Sequence, residues 1–129
     1  MNKLEIVSSI LQNKEYQDDY GQLMTGIEVL EKCDETQTVR YTWKTPRDEV
    51  FDHNGELSPS VMSLVIDEIP TLTLFVFQPD GLMGVTISMQ VSRFGNAKPQ
   101  DLLMEGRVVT QTPTIASLEC LVYNIHTKK

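Results

Sequence analysis

Asp67 lies inside the most apolar stretch of the chain, Val61 to Phe77. Ser60, Ser63, Asp67 and Thr71 recur at helical spacing and draw one polar stripe along an otherwise apolar helix. A carboxylate in such surroundings must find partners or give up its charge, and an apolar helix rarely carries one without a functional reason. The competing reading is an aspartate that bonds backbone at a subunit seam. Glu68, turned about 100° from it on the helix, reads better as half of an ion pair. Asp52 is a second carboxylate, in a polar segment beside His53. Ser58 has no base next to it, so a serine hydrolase is not supported, and an N-cap explains it as well. His53 and His126 are the only histidines and are far apart, which gives no metal site. Arg93, Asn96 and Lys98 gather at a strand end and loop; they suit a phosphate or are simply solvated.

The elements that must position these residues follow from periodicity. Leu4, Val7 and Leu11, with Ile6 and Ile10, predict an N-terminal amphipathic helix ending before Gln17. Ile27 and Val29, then Val39, Tyr41 and Trp43, alternate with polar residues on either side of Cys33-Asp34-Glu35-Thr36, which predicts a hairpin. Pro46 to Leu57 reads as a loop. Ser58-Pro59 opens a helix, since proline at the first helical position forfeits no bond. Pro70 lacks the N–H that would meet the Ile66 carbonyl, so a kink or an early end is expected there. After the Gln78-Pro79-Asp80-Gly81 turn come three strands: Val85 to Val91, Leu102 to Gln111, and a last one on which Ala116, Leu118, Cys120 and Val122 face one way. Short turns between consecutive strands make the sheet antiparallel, and its apolar face needs a cover. The central helix, apolar nearly all round, supplies it.

With 129 residues the chain fits one domain, read as an N-terminal helix over 1–20 and a core over 21–129. Lys plus Arg is 11 and Asp plus Glu 18, a net charge of −7, which disfavours nucleic acid and anionic membranes as partners. Asp67 and Glu68 side by side argue against a membrane-spanning helix. Cys33 and Cys120 make no metal or disulfide spacing and read as two reduced, buried thiols. The N-terminus shows neither a signal peptide nor a presequence pattern, so a cytoplasmic location is expected.

The stretch from Asp52 to Lys98 resembles the small hotdog thioesterases of the phenylacetate-degradation type. Gly55 falls on the family glycine, Asp67 on the helix aspartate with its spacing from Ser58 kept, Gly84-Val85-Thr86 on the strand motif and Ala97-Lys98 on the loop. Glu105-Gly106-Arg107-Val108-Val109 looks like the family's next strand. The likeness covers roughly Met24 to Ile125. It departs where the family opens its helix with His-Gly-Gly, here Ser58-Pro59-Ser60, and where the family has Asn, here Asp52.

The resemblance implies an α+β hotdog fold: an antiparallel sheet of five to six strands wrapped around a long central helix, with an extra N-terminal helix. It implies an acyl-CoA substrate, no cofactor and no metal. Asp67 would be the base or nucleophile, with Thr86 and Asp52 orienting water. Gly55 and the helix start at Ser58 and Ser60 would receive the thioester carbonyl, and Arg93, Asn96 and Lys98 the coenzyme A phosphates. Ser58 and Asp67 are about 13.5 Å apart along a helix, so in the family the helix end of one subunit meets the aspartate of another. A homodimer or tetramer is therefore expected. Pro59 offers no N–H where the family glycine has one, so the alternative is a hotdog protein that binds acyl-CoA, or serves as a structural subunit, without hydrolysing it.

Overall fold

The computed structural model describes residues 2–12, 26–44, 46, 48–77, 102–112 and 114–124. In chain order these form α1 (Lys3–Gln12), β1 (Ile27–Cys33), β2 (Thr38–Trp43), a 3-10 turn (Asp48–Val50), α2 (Pro59–Phe77), β3 (Leu102–Gln111) and β4 (Ala116–Asn124). The four strands make one sheet in the order β1-β2-β3-β4, antiparallel at every step. The strand expected over Val85 to Val91 lies outside the described residues.

Alternation in the sequence becomes two faces in the sheet. Val39, Tyr41 and Trp43 on β2, with Leu102 and Met104 on β3, are wholly buried. Arg40, between them, points the other way, pairing with Glu31 at 3.0 Å and Glu105 at 3.3 Å. Arg107–Glu119 and Lys44–Glu28 continue this charged outer surface. Such exposed pairs contribute little to stability; their use is to keep the outer face wet, so that only the inner face seeks a cover. On β4, Ala116, Leu118, Cys120 and Val122 are half-buried while Ser117, Glu119 and Leu121 are exposed, as the alternation predicts.

The cover is α2. Val61, Val65, Ile69, Leu72 and Val76 recur every three or four residues and are all buried in the core. By length and composition α2 is apolar enough to cross a membrane, with a mean hydropathy of 1.6, but here that stripe packs on the sheet. α2 comes close against β3 at Gly106. A Cβ there would land on the Thr73 hydroxyl and 3.4 Å from a methyl of Ile69, so glycine is what lets helix and strand meet. Beside it the Tyr41 and Thr73 hydroxyls are 2.9 Å apart, and Thr73 also bonds the Ile69 carbonyl at 2.9 Å. Thr73 has one proton. Spent on the carbonyl, it leaves the Thr73 oxygen to accept from Tyr41, and both buried hydroxyls are satisfied. Burial pushes the Tyr41 hydroxyl well above the ordinary tyrosine range.

α1 closes the rest of the core with Val7 and Leu11. Asn2 caps it reciprocally: its Oδ1 accepts the Glu5 N–H at 2.8 Å and its Nδ2 donates to the Glu5 carboxylate at 3.1 Å. Lys3 sits over the Phe75 ring, 5.9 Å from its centre, tying α1 to the last turns of α2.

Two expectations need correction. Of the kink or early end expected at Pro70, the early end does not occur: α2 runs seven residues further, to Phe77. Proline removes one bond, to the Ile66 carbonyl, while the buried apolar stripe on both sides still holds the helix to the sheet. Nor are both cysteines buried. Cys120 is partly buried on the inner face, and burial pushes its thiol up to about 12. Cys33 is exposed at the last residue of β1, where the hairpin leaves the core, and hydrogen bonding from the Thr36 side chain lowers its pKa. Because the thiolate is the reactive form, Cys33 is expected to react with a small disulfide reagent at least ~100-fold faster than Cys120. Cys33→Ser should abolish the fast phase; two thiols reacting at similar rates would contradict this placement.

Candidate active site

The polar segment before α2 is not an open loop. Val50, Phe51 and Asp52 run opposite Ser58, Leu57 and Glu56 as a miniature hairpin. The Ser58 N–H donates to the Val50 carbonyl at 2.8 Å, Phe51 bridges Leu57, and the Asp52 N–H donates to the Glu56 carbonyl at 2.7 Å. His53-Asn54-Gly55 connects the two sides. The Gly55 N–H returns to the Asp52 carbonyl at 3.0 Å, and Gly55 has φ +73°, the left-handed position that ends a three-residue hairpin connection. Val50 and Leu57 anchor both sides in the core at 0% exposure. The sequence signal was present: Asp at the first and Gly at the fourth position of a type I turn.

This hairpin delivers the start of α2. Ser58 stands at the N-cap position, since its carbonyl accepts the Met62 N–H at 2.8 Å, but its hydroxyl makes no capping bond among the described residues. Pro59 has no N–H. The N–H groups of Ser60 and Val61 therefore precede the first helical bond, and neither has an acceptor among the described residues. Two donors at the positive end of a 19-residue helix can hold a carbonyl oxygen or an oxyanion.

Asp67 is half-buried. It is two residues from Ile69, hence turned about 200° around the helix from the side that meets Gly106. Ser63 and Thr71, half-buried on the same stripe, flank it, and the Thr71 hydroxyl donates to the Asp67 carbonyl at 2.8 Å. Asp67 thus stands on the side of α2 turned away from the sheet, nine residues from the helix start.

Of the residues singled out from sequence, Asp52, Gly55, Ser58 and Ser60 come together in the hairpin and first helical turn. Asp67 lies further along the same helix and does not join them within one chain. Glu68 is half-buried and His53 exposed. Thr86, Arg93, Asn96, Lys98 and His126 lie outside the described residues. Sequence reasoning missed the Tyr41–Thr73–Gly106 contact, which only the fold brings together.

No protein-family model matches the chain, and no curated protein matches it significantly. Solved structures do. Zebrafish thioesterase superfamily member 2 superposes with a TM-score of 0.85 at 21% identity, over 100% of this chain and 91% of that one. A hypothetical thioesterase protein from Streptococcus pneumoniae, solved with coenzyme A, gives 0.71 at 18% identity over 87% of each chain. A phenylacetic acid degradation-related putative thioesterase from Ralstonia eutropha gives 0.72 at 13% identity, over 92% of this chain and 89% of that one. At these identities the likeness is one of fold: the chain has the hotdog architecture of the thioesterase superfamily, including the phenylacetate-degradation type that its Asp52–Lys98 motifs resemble.

Proposed function

We propose that this protein hydrolyses acyl-CoA thioesters to free acid and coenzyme A, as a cytoplasmic homo-oligomer. The observation that carries the reading is the placement of Asp67: a carboxylate on the side of α2 away from its own sheet, nine residues from a helix start where the Ser60 and Val61 N–H groups have no acceptor among the described residues. Separated within one chain, the two halves would meet across a two-fold axis. Asp67 removes a proton from water as the water oxygen adds to the thioester carbonyl carbon. The Ser60 and Val61 N–H groups hold the resulting oxyanion. The carbon–sulfur bond then breaks, and the coenzyme A thiolate takes up the proton. By resemblance, Thr86 orients the water, Gly55 and Ser58 border the carbonyl subsite, and Arg93, Asn96 and Lys98 meet the phosphates. The coenzyme A in the Streptococcus pneumoniae neighbour supports this ligand class.

Pro59 favours a second reading, a protein that binds acyl-CoA without turning it over, because one donor of the family site is missing. Both readings require binding. Titration calorimetry with a thioether analogue of an acyl-CoA, which cannot be hydrolysed, should show saturable uptake of about one molecule per subunit. Absence of any binding, for coenzyme A and a range of analogues, would remove both.

A further inference from the structure

We propose that Asp52 is a positioning residue: it locks the hairpin that aims the first N–H groups of α2, and it does so with a side-chain oxygen as hydrogen-bond acceptor rather than with its acidity. This rests on the thioesterase reading and assigns Asp52 a task within it other than orienting water.

Four bonds of the Val50–Ser58 hairpin converge on this one residue. Its Oδ1 accepts the Asn54 N–H at 2.9 Å and the Glu56 N–H at 3.1 Å. Its own N–H donates to the Glu56 carbonyl and its carbonyl accepts the Gly55 N–H. The side chain thus satisfies two backbone donors that a connection of only three residues leaves without carbonyl partners. From there the restraint passes outward without a gap. Glu56 is fixed opposite Asp52, Leu57 bridges Phe51, the Ser58 N–H is held on the Val50 carbonyl, and the Ser58 carbonyl takes the Met62 N–H that begins the helix. Ser60 and Val61 lie between those last two anchors. Pro59 sharpens the need: with one donor lost, the placement of the remaining two carries the whole subsite.

Asparagine offers the same Oδ1 acceptor without the charge, so the Asn-to-Asp departure from the family pattern keeps the lock. Alanine removes the acceptor. The experiment compares wild type, Asp52→Asn and Asp52→Ala by residue-resolved amide hydrogen exchange and by steady-state hydrolysis of an acyl-CoA with its pH profile. In Asp52→Ala, protection of Asn54, Glu56, Ser58 and Met62 should fall at least ~10-fold relative to amides in β2 and β3, a local opening rather than global unfolding. Asp52→Asn should restore it. Turnover should fall at least ~10-fold in Asp52→Ala with KM changed less, as for an interaction realised mainly in the transition state. Asp52→Asn should recover most of that loss with the limbs of the pH profile unmoved. The proposal is overturned if Asn54 and Glu56 stay protected in Asp52→Ala. It is equally overturned if Asp52→Asn loses as much turnover as Asp52→Ala or drops one limb of the pH profile, since Asp52 would then act through its charge. If wild type shows no hydrolysis, the thioesterase reading fails on its own, and the exchange data still decide whether Asp52 is the lock.

Discussion

Asp67→Asn is expected to lower turnover of acyl-CoA by at least ~100-fold, about what removal of a positioned general base costs, while KM stays within a few-fold. The two side chains have nearly the same shape, so substrate binding and the polar stripe of Ser63, Asp67 and Thr71 should survive. What is lost is the ability to take a proton from water. The split between kcat and KM separates this from a structural role: an aspartate that merely bonded backbone at a seam would, on replacement, weaken assembly and binding together. The measurement is steady-state kinetics on wild type and variant at matched oligomeric state, with circular dichroism as the control for folding. A variant that keeps most of its turnover would move the base elsewhere.

The second large effect lies at the crossing of α2 and the sheet. Gly106→Ala should destabilise the fold by about 2–4 kcal/mol, the sum of a typical overpacking cost and a lost buried hydrogen bond. The added methyl group would stand on the Thr73 hydroxyl, 3.2 Å from the Thr73 Cβ and 3.4 Å from Ile69, and none of these can retreat, because Ile69 and Thr73 are both fully buried. The helix must lift, which opens the Tyr41–Thr73 bond. Denaturant unfolding checks the magnitude. A second substitution checks the cause: Thr73→Ala clears the obstructing hydroxyl, so the double variant should be more stable than the sum of the singles by at least ~0.5 kcal/mol, as for residues in contact. Additive losses would mean that the strain is relieved elsewhere.

Much of the fold was legible because it depends on local period. Val39, Tyr41 and Trp43 alternate whatever they touch, and Ser58-Pro59 marks a helix start by its own chemistry. The errors arose where long-range packing outweighs the local rule. Pro70 should weaken a helix, but Ile69, Leu72 and Val76 are held by the sheet. Cysteine is usually buried, but Cys33 ends β1, whose residues from Leu30 onward are all exposed. The hairpin before α2 was read as a loop because Val50, Phe51 and Leu57 are too few to show a period, although Asp52 to Gly55 spelled the turn. Gly106, Tyr41 and Thr73 are distant in sequence and meet only in the folded chain. For the site, the sequence picked out Asp67 and the helix start as separate features. It could not show that the Ser60 and Val61 N–H groups have no acceptor among the described residues, since that depends on where the Ser58 hydroxyl settles. Thr86, Arg93, Asn96 and Lys98 rest on the family resemblance.

The most direct test of thioester hydrolysis is the release of free coenzyme A by the purified protein, measured over short, medium, long and aryl acyl-CoAs with Asp67→Asn in parallel. The account predicts that wild type turns over at least one of these classes and exceeds Asp67→Asn on it by at least ~100-fold. Wild type no faster than Asp67→Asn on every thioester would contradict it, and the protein would then be a hotdog subunit that binds its ligand without cleaving it.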